Sequence, residues 1–165
     1  MKRVADRLGD IASAATDGDE VNVFGRSSYN RYYYAIFLLV RAALRQKREE
    51  WGRIAHKSVP AILLGPVLKE IKQAAADQQK SGLLSRGEAS NITDRANVVV
   101  ADLASLLAEA YQVRCDADYE PEFVAEKVGG AIVMRGRKLS SAASWPRRVE
   151  TNLGLLSGVW RQLGL

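Results

Sequence analysis

Histidine and cysteine are nearly absent from this chain, which has one residue of each type, His56 and Cys115. A single cysteine excludes an internal disulfide and is typical of proteins in a reducing compartment. The sequence also lacks a glycine-rich phosphate loop, ligands at metal-binding spacing and a Ser-His-Asp arrangement. We therefore predict no metal and no cofactor.

Long hydrophobic runs are also missing. The longest apolar run, from Ala35 to Val40, is far shorter than the segment that a bilayer-spanning helix needs. Residues 1–7 have a basic start but lack the apolar segment that follows it in a secretory signal. We expect a cytoplasmic protein that does not enter a membrane.

Proline and strand-like patterns are scarce. The 165 residues include four prolines, and no stretch of strand length alternates apolar and polar residues. With 47% hydrophobic and 26% charged residues, the composition is that of an ordinary globular protein. We predict a single all-α domain over residues 1–165, with a core over 3–120 and a C-terminal helical extension over 121–165. The net charge of +5 favours a polyanionic partner without requiring one.

Hydrophobic spacing and turn residues predict six helices. They cover residues 3–15, 27–49, 58–79, 87–118 and 122–139, and a last helix begins at 146. Ser27 or Ser28 can cap the second helix, while Ser85 and Glu88 have the spacing of a capping box before the fourth. Pro146 suits the first turn of the last helix.

Glycine and proline weaken two of these predicted helices. Gly65-Pro66 is expected to interrupt or kink the third helix, because proline lacks the backbone donor and clashes with the preceding turn. The glycines at 129, 130 and 136 weaken the fifth.

Four of the helices have a predicted buried face. In the first it is Val4, Leu8, Ile11 and Ala15, and in the second it is Tyr29, Tyr33, Ile36, Phe37, Val40 and Leu44. The fourth carries an alternating three-and-four seam of Ile92, Ala96, Val99, Leu103, Leu106, Ala110 and Val113. The last carries Val149, Leu153, Leu156, Trp160 and Leu163. We expect the second and fourth helices to pack antiparallel in an up-and-down bundle.

Two polar segments are candidates for a functional site. Arg114 and Asp118 lie four residues apart near the end of the fourth helix, on one face, and Tyr119 follows directly. This pair is either a solvated ion pair or a cleft in which Arg114 binds a phosphate and Asp118 orients it.

The second segment is the aromatic start of the second helix. Asn30 and Arg31 precede three consecutive tyrosines, and Tyr34 lies on the polar line of Asn30, Arg41 and Arg45. The tyrosines either pack at an interface or stack on the bases of single-stranded RNA. Asn30 and Arg31 either cap the helix or bind an anion at its N-terminus.

Three blocks together resemble the HEPN superfamily (higher eukaryotes and prokaryotes nucleotide-binding domain). They are the tyrosine-rich segment 29–41, the turn His56-Lys57-Ser58-Val59, and the ending Arg114-x-x-x-Asp118-Tyr119. The resemblance covers roughly residues 5–120. It implies a helical bundle, a homodimer with a cleft at the dimer interface, and a link to RNA.

The sequence departs from the family's ribonuclease signature, an arginine followed four to six residues later by a histidine. Arg114 occupies the arginine position, but Asp118 stands where an imidazole would move a proton. An ionised aspartate repels a phosphate. His56 is the sole imidazole of the chain and is the remaining candidate for that role.

The resemblance leaves two functional hypotheses open, beside a weaker third one of a helical-bundle protein with no link to nucleic acid. The first is a protein of a bacterial toxin–antitoxin or antiviral defence system that either cleaves RNA without a metal or binds RNA or a nucleotide in the cleft between the second and fourth helices. The second is a non-catalytic dimerisation and docking module for a nucleotidyltransferase or a larger defence effector. The face of Leu153, Leu156 and Trp160 is the expected docking surface, and the basic clusters 135–138 and 147–148 could contact RNA.

Overall fold

The computed structural model describes the whole chain, residues 1–165. Helices cover 79% of it, which confirms the all-α prediction in outline, but a small sheet is also present. The helices are α1 (Lys2–Ala14), α2 (Gly18–Lys47), α3 (Val59–Ile62), α4 (Leu68–Lys80), α5 (Arg86–Tyr119) and α6 (Leu139–Gln162). The strands are β1 (Ala125–Val128), β2 (Ala131–Met134) and β3 (Arg137–Lys138). None of the helices combines the length and apolar character that crossing a membrane requires.

The helix predicted over 122–139 is wrong, because this segment forms an antiparallel sheet of order β1-β2-β3. Two-residue turns join the strands, and all four turn residues have positive φ: Gly129, Gly130, Arg135 and Gly136. Positive φ at both central positions is the requirement of a type I′ turn, whose twist matches that of paired strands. These glycines therefore make hairpins rather than weaken a helix.

Helix α2 begins about ten residues earlier than predicted. Asp17 caps it, since its Oδ1 accepts a hydrogen bond of 3.2 Å from the backbone N–H of Asp19. Ser28 lies inside the helix, where it is buried and donates a hydrogen bond of 2.8 Å to the carbonyl of Ala5. The serine predicted as a cap thus joins α2 to α1.

The buried face of α1 also differs from the prediction. Ala5, Gly9 and Ala12 are buried. Of the predicted face, Ala15 is buried, Leu8 and Ile11 are half-buried, and Val4 is exposed. An added Cβ on Gly9 would lie 3.1 Å from Leu139 Cδ2 and 3.3 Å from Ser28 Oγ, so the packing is close. Helix α1 therefore packs through small residues rather than through its larger apolar ones.

The two prolines at 66 and 146 lie inside helical segments. Between α3 and α4 the helix continues as a π turn over Leu63–Val67, with Leu68 N–H donating to the carbonyl of Leu63. This wider turn suits Pro66, which has no N–H to donate. Helix α6 begins at Leu139, so the predicted start at Pro146 is seven residues late.

The long seams are confirmed. Every predicted apolar residue of α5 and of the buried face of α2 is buried. The capping box before α5 is also present: Glu88 Oε2 accepts from Ser85 N–H at 2.8 Å, and Ser85 Oγ accepts from Glu88 N–H at 3.2 Å. The spacing of apolar residues was therefore sufficient to predict the buried faces of α2 and α5, and the capping-box residues were sufficient to predict the start of α5.

The chain forms two compact units, of which the first comprises residues 1–39 and 109–148. In it the early part of α2 runs antiparallel to the end of α5, because Arg26 reaches Ala117 while Tyr33 contacts Tyr111. The sheet packs on α2 at Gly25, where an added Cβ would lie 2.8 Å from Ala125 Cβ and 3.2 Å from Ile132 Cγ2.

The second unit comprises residues 40–108 and 149–165. It contains 3-10 helices at Glu49–Arg53 and His56–Ser58, the α3–α4 segment, the first part of α5 and the end of α6. Leu156 and Trp160 of α6 are buried in it. The predicted docking face of Leu153, Leu156 and Trp160 is therefore wrong, because two of its three side chains are buried in the core and Leu153 is half-buried.

Candidate functional site

A cavity of about 440 Å³ lies in the first unit where the early part of α2 meets the end of α5. Its lining is mostly polar and comes from both helices and the segment after α5: Asn22, Val23, Arg26, Ser27, Asn30, Arg31, Ala117, Asp118 and Pro121. Three residues predicted for the site, Asn30, Arg31 and Asp118, line this cavity. We refer to it as the α2–α5 cavity.

The structure brings Arg114, Asp118, Tyr119 and Asn30 together. Arg114 Nε lies 2.8 Å from Asp118 Oδ2, and its Nη2 donates a hydrogen bond of 3.1 Å to the Tyr119 hydroxyl. The guanidinium also lies over the Tyr119 ring, 4.9 Å from its centroid. Asn30 Nδ2 donates a hydrogen bond of 2.5 Å to Asp118 Oδ1. Asp118 is thus held by an arginine and an amide at the edge of the cavity.

The Arg114–Asp118 pair is well shielded from water. The Arg114 side chain is 15% exposed and that of Asp118 is 25% exposed, unlike a freely solvated surface pair. Desolvation by burial lowers the pKa of Arg114, but the hydrogen bond with Tyr119 and the charge of Asp118 outweigh it, so the pKa rises. Arg114 is therefore permanently cationic and already partnered. An incoming phosphate must compete with Asp118 for it.

Arg26 is the residue of this region that the sequence analysis missed. Its Nε donates a hydrogen bond of 2.8 Å to the carbonyl of Ala117. Its other guanidinium nitrogens donate hydrogen bonds of 3.3–3.4 Å to the carbonyls of Asp116, Pro121 and Phe123. The last carbonyls of a helix have no partner within the helix, and the negative end of the dipole lies there. Arg26 satisfies the end of α5 and fixes the segment that follows.

The sequence feature that could have identified Arg26 is its spacing from two other polar residues of α2. Asn22, Arg26 and Asn30 recur every four residues and form one stripe of α2. Asn22 Oδ1 accepts a hydrogen bond of 2.9 Å from the backbone N–H of Ala125, so this stripe binds α5, the following turn and the start of β1. Extending the predicted polar line of Asn30 and Tyr34 toward the N-terminus would have included all three.

The prediction of an anion site at the N-terminus of the second helix is wrong. Because α2 begins at Gly18, Asn30 and Arg31 lie well inside the helix, where the backbone N–H groups are already bonded. Arg31 is exposed and makes no ion pair or hydrogen bond within the chain. Its side chain, not a helix dipole, is the feature that could attract an anion.

The three consecutive tyrosines occupy different environments. Tyr32 and Tyr33 are buried, and the Tyr32 hydroxyl donates a hydrogen bond of 2.7 Å to Asp6. Tyr34 is half-buried and packs edge-on against Tyr33, with ring centroids 5.4 Å apart. Two of the three rings are therefore part of the core. Tyr34 and Tyr119, which is 64% exposed, keep exposed ring surface on which a base could stack.

His56 belongs to the second compact unit, in the 3-10 helix His56–Ser58, and it is half-buried. The cluster of Arg114, Asp118 and Tyr119 lies in the first unit, and that unit contains no histidine.

The basic cluster 135–138 is largely occupied within the protein. Arg135 forms an ion pair of 2.9 Å with the buried Asp116 and lies over the Phe123 ring at 4.6 Å. Arg137 forms an ion pair with Glu109. These arginines tie the hairpin to α5, which leaves less free charge there for RNA than the sequence suggested.

Comparison with protein-family models, with curated proteins and with solved structures gives no match to this chain. The HEPN resemblance therefore depends on the residues quoted above. Chemically, the α2–α5 cavity offers two guanidinium groups, two side-chain amides and a carboxylate, and the exposed phenol of Tyr119 follows directly after Asp118. This set can bind an anion and a base, and within the first unit it offers no imidazole for proton transfer.

Proposed function

We propose that this protein binds single-stranded RNA, or a nucleotide, in the α2–α5 cavity, as an HEPN-like protein of a bacterial toxin–antitoxin or antiviral defence system. The observation that carries the proposal is the cavity itself, which is lined by the unpaired cation Arg31, the amide of Asn30 and Asp118, the ion-pair partner of Arg114. The positive net charge of the chain supports a polyanionic ligand.

The proposed binding mode follows from which groups are free. Arg31 makes the first contact with a phosphate, because no internal partner has to be displaced. Tyr119 and Tyr34 keep exposed ring surface on which a base can stack. Arg26 keeps the end of α5 in place and does not leave its carbonyls. Binding rather than cleavage is favoured, since the first unit supplies no histidine and Arg114 is neutralised by Asp118.

The test is fluorescence anisotropy of a single-stranded RNA at several salt concentrations. We expect an affinity that falls with salt, and Arg31→Ala should lower the affinity by about tenfold and reduce the salt slope by about one. The matched control is Arg161→Ala, which removes an exposed arginine from the second unit and should change the affinity much less. Equal effects of both substitutions would contradict binding in this cavity.

A parallel metal-free incubation with total RNA and tRNA tests for cleavage. We expect the wild-type protein to leave the RNA intact. Cleavage that disappears in Arg114→Ala would instead identify an atypical ribonuclease, and loss in His56→Ala would assign the imidazole role to His56.

The second candidate function is that of a non-catalytic module that docks onto a nucleotidyltransferase or defence effector. It is favoured by the internal pairing of Arg114 with Asp118, which removes the catalytic arginine from solvent. Tight binding to such a protein with no salt-dependent RNA affinity would select this function.

A further inference from the structure

An apolar groove lies on the surface of the second unit between α5 and α6. Val98 and Leu155 are 71% and 49% exposed, and Val99 and Val159 form the floor beneath them. The groove has a volume of about 360 Å³, and Asp94 and Arg95 lie at its edge. Two large, exposed, adjoining aliphatic side chains are more typical of an interaction surface than of a solvated helix face.

Beyond Asp94 and Arg95, the helix segments that continue from the groove carry almost no charge. Over residues 96–108 of α5 the sole charged residue is Asp102, which accepts a hydrogen bond of 2.5 Å from Asn152 of α6. Residues 151–160 of α6 contain no charged residue at all. In a chain with 26% charged residues, exposed helix faces of this length normally carry several charges.

The exposed residues of α5 are spaced as in a helix–helix seam. Val98, Ala101, Ser105 and Ala108 are all exposed and recur at intervals of three, four and three. This stripe is separate from the buried seam of the same helix. On α6, Gly154 and Gly158 directly precede the groove residues Leu155 and Val159 and have open space where a Cβ would lie, although glycine in a helix interior lowers stability relative to alanine. Small residues at these positions let another helix approach closely.

We propose that a second copy of this chain packs on this surface, forming a two-fold homodimer through the groove of Val98 and Leu155. An isologous interface must be complementary to itself. The adjacent opposite charges of Asp94 and Arg95 meet this requirement. In a two-fold dimer, Asp94 of each copy can form an ion pair with the arginine at position 95 of the other copy. Arg95 has no ion pair or hydrogen bond within the chain and is available for this contact.

The area of the proposed interface indicates how tightly the two copies associate. At a rise of about 1.5 Å per residue, the uncharged segment of α5 is about 20 Å long and that of α6 is about 15 Å long. Each helix is about 10 Å wide, and these dimensions give the area of the surface. Each copy would bury on the order of 400 Å², which is below the size of stable specific interfaces and in the range of weak, transient ones. We therefore expect a reversible dimer that dissociates on dilution.

The proposal does not depend on RNA binding, because the groove belongs to the second unit and the α2–α5 cavity to the first. It also differs from the dimer implied by the HEPN resemblance, whose interface is the cleft itself. The two arrangements predict different effects for substitutions in the two units.

Sedimentation of the full chain over a range of concentrations tests the proposal. The wild-type protein should be a concentration-dependent dimer, and Val98→Glu should raise the dissociation constant by about 100-fold or more, because it buries an unpaired carboxylate. The matched control is Val4→Glu, which changes an exposed valine on α1 and should leave the dimer intact. Circular dichroism checks that both variants are folded.

A charge exchange tests the two-fold arrangement specifically. Arg95→Asp should weaken the dimer, and the double variant Asp94→Arg with Arg95→Asp should restore it, because the exchanged pair is again self-complementary. Three results would overturn the proposal: a wild-type monomer throughout the concentration range, equal effects of the two valine substitutions, or dissociation by Arg31→Glu but not by Val98→Glu. The last result would place the interface at the α2–α5 cavity.

Discussion

At the scale of single residues, Asp118 decides how the candidate site behaves. It contacts both Arg114 and Asn30. In the proposed binding mode, this carboxylate competes with a phosphate for Arg114, with which it already forms an ion pair. Asp118 is therefore expected to limit anion binding in this cavity.

Replacing Asp118 by asparagine should strengthen RNA binding. Asp118→Asn keeps the size of the side chain and removes its charge, which frees Arg114 for a phosphate and raises the affinity by about three- to tenfold. Anisotropy with the RNA used for the wild type measures this. The control is Asp10→Asn, which removes the same charge from an exposed position in the same unit. If the two variants gain equally, the gain comes from net charge and Asp118 does not compete for Arg114.

At the scale of elements, the sheet was the main surprise, and the sequence did contain its signal. Two four-residue segments, 125–128 and 131–134, are separated by Gly129-Gly130, which is a hairpin pattern. The strands are too short to show clear apolar alternation, and the helix propensity of Ala125, Glu126 and Lys127 favours the wrong element. Packing against α2 favours the sheet over a helix, because the side chains of Ala125, Ile132 and Met134 are buried when the segment forms strands.

Gly25 is the residue of α2 that permits this packing. Gly25→Ala places a methyl group 2.8 Å from Ala125 Cβ, so the sheet or the helix must shift. We expect a loss of about 1–3 kcal/mol in the free energy of unfolding, as for other overpacked sites. The control, Gly87→Ala, adds the same methyl group in open space on α5. Urea unfolding measures both, and a Gly25→Ala protein as stable as this control would show that the contact is not tight.

At the scale of the whole molecule, the first unit contains three buried tyrosines that link its stability to high pH. Burial raises the pKa of Tyr29, Tyr32 and Tyr33 above the ordinary value of about 10. The hydrogen bond to Asp6 raises the pKa of Tyr32 further. The folded state thus holds these protons more tightly than the unfolded state does.

The protein should consequently lose stability in alkali. The contribution of these tyrosines is fully present below about pH 10 and is lost as the pH rises from there toward their folded-state pKa values. We expect the tyrosinate absorbance to lag behind that of the urea-unfolded chain, in which all six tyrosines titrate normally, and to rise together with loss of helical circular dichroism. A single ordinary titration of all tyrosines with the helices intact would contradict this prediction.

Sequence and tertiary structure determined different parts of this protein. Periodicity in the sequence was enough for the seams of α2 and α5, and capping chemistry for the start of α5, because both depend on neighbours a few residues apart. The same spacing placed Arg114 beside Asp118. What depended on distant residues was decided by the tertiary structure: the contacts of Arg26 with the end of α5, the small-residue face of α1, and the packing of the sheet on Gly25. These features arise because side chains about a hundred residues apart meet, and such contacts override local preference.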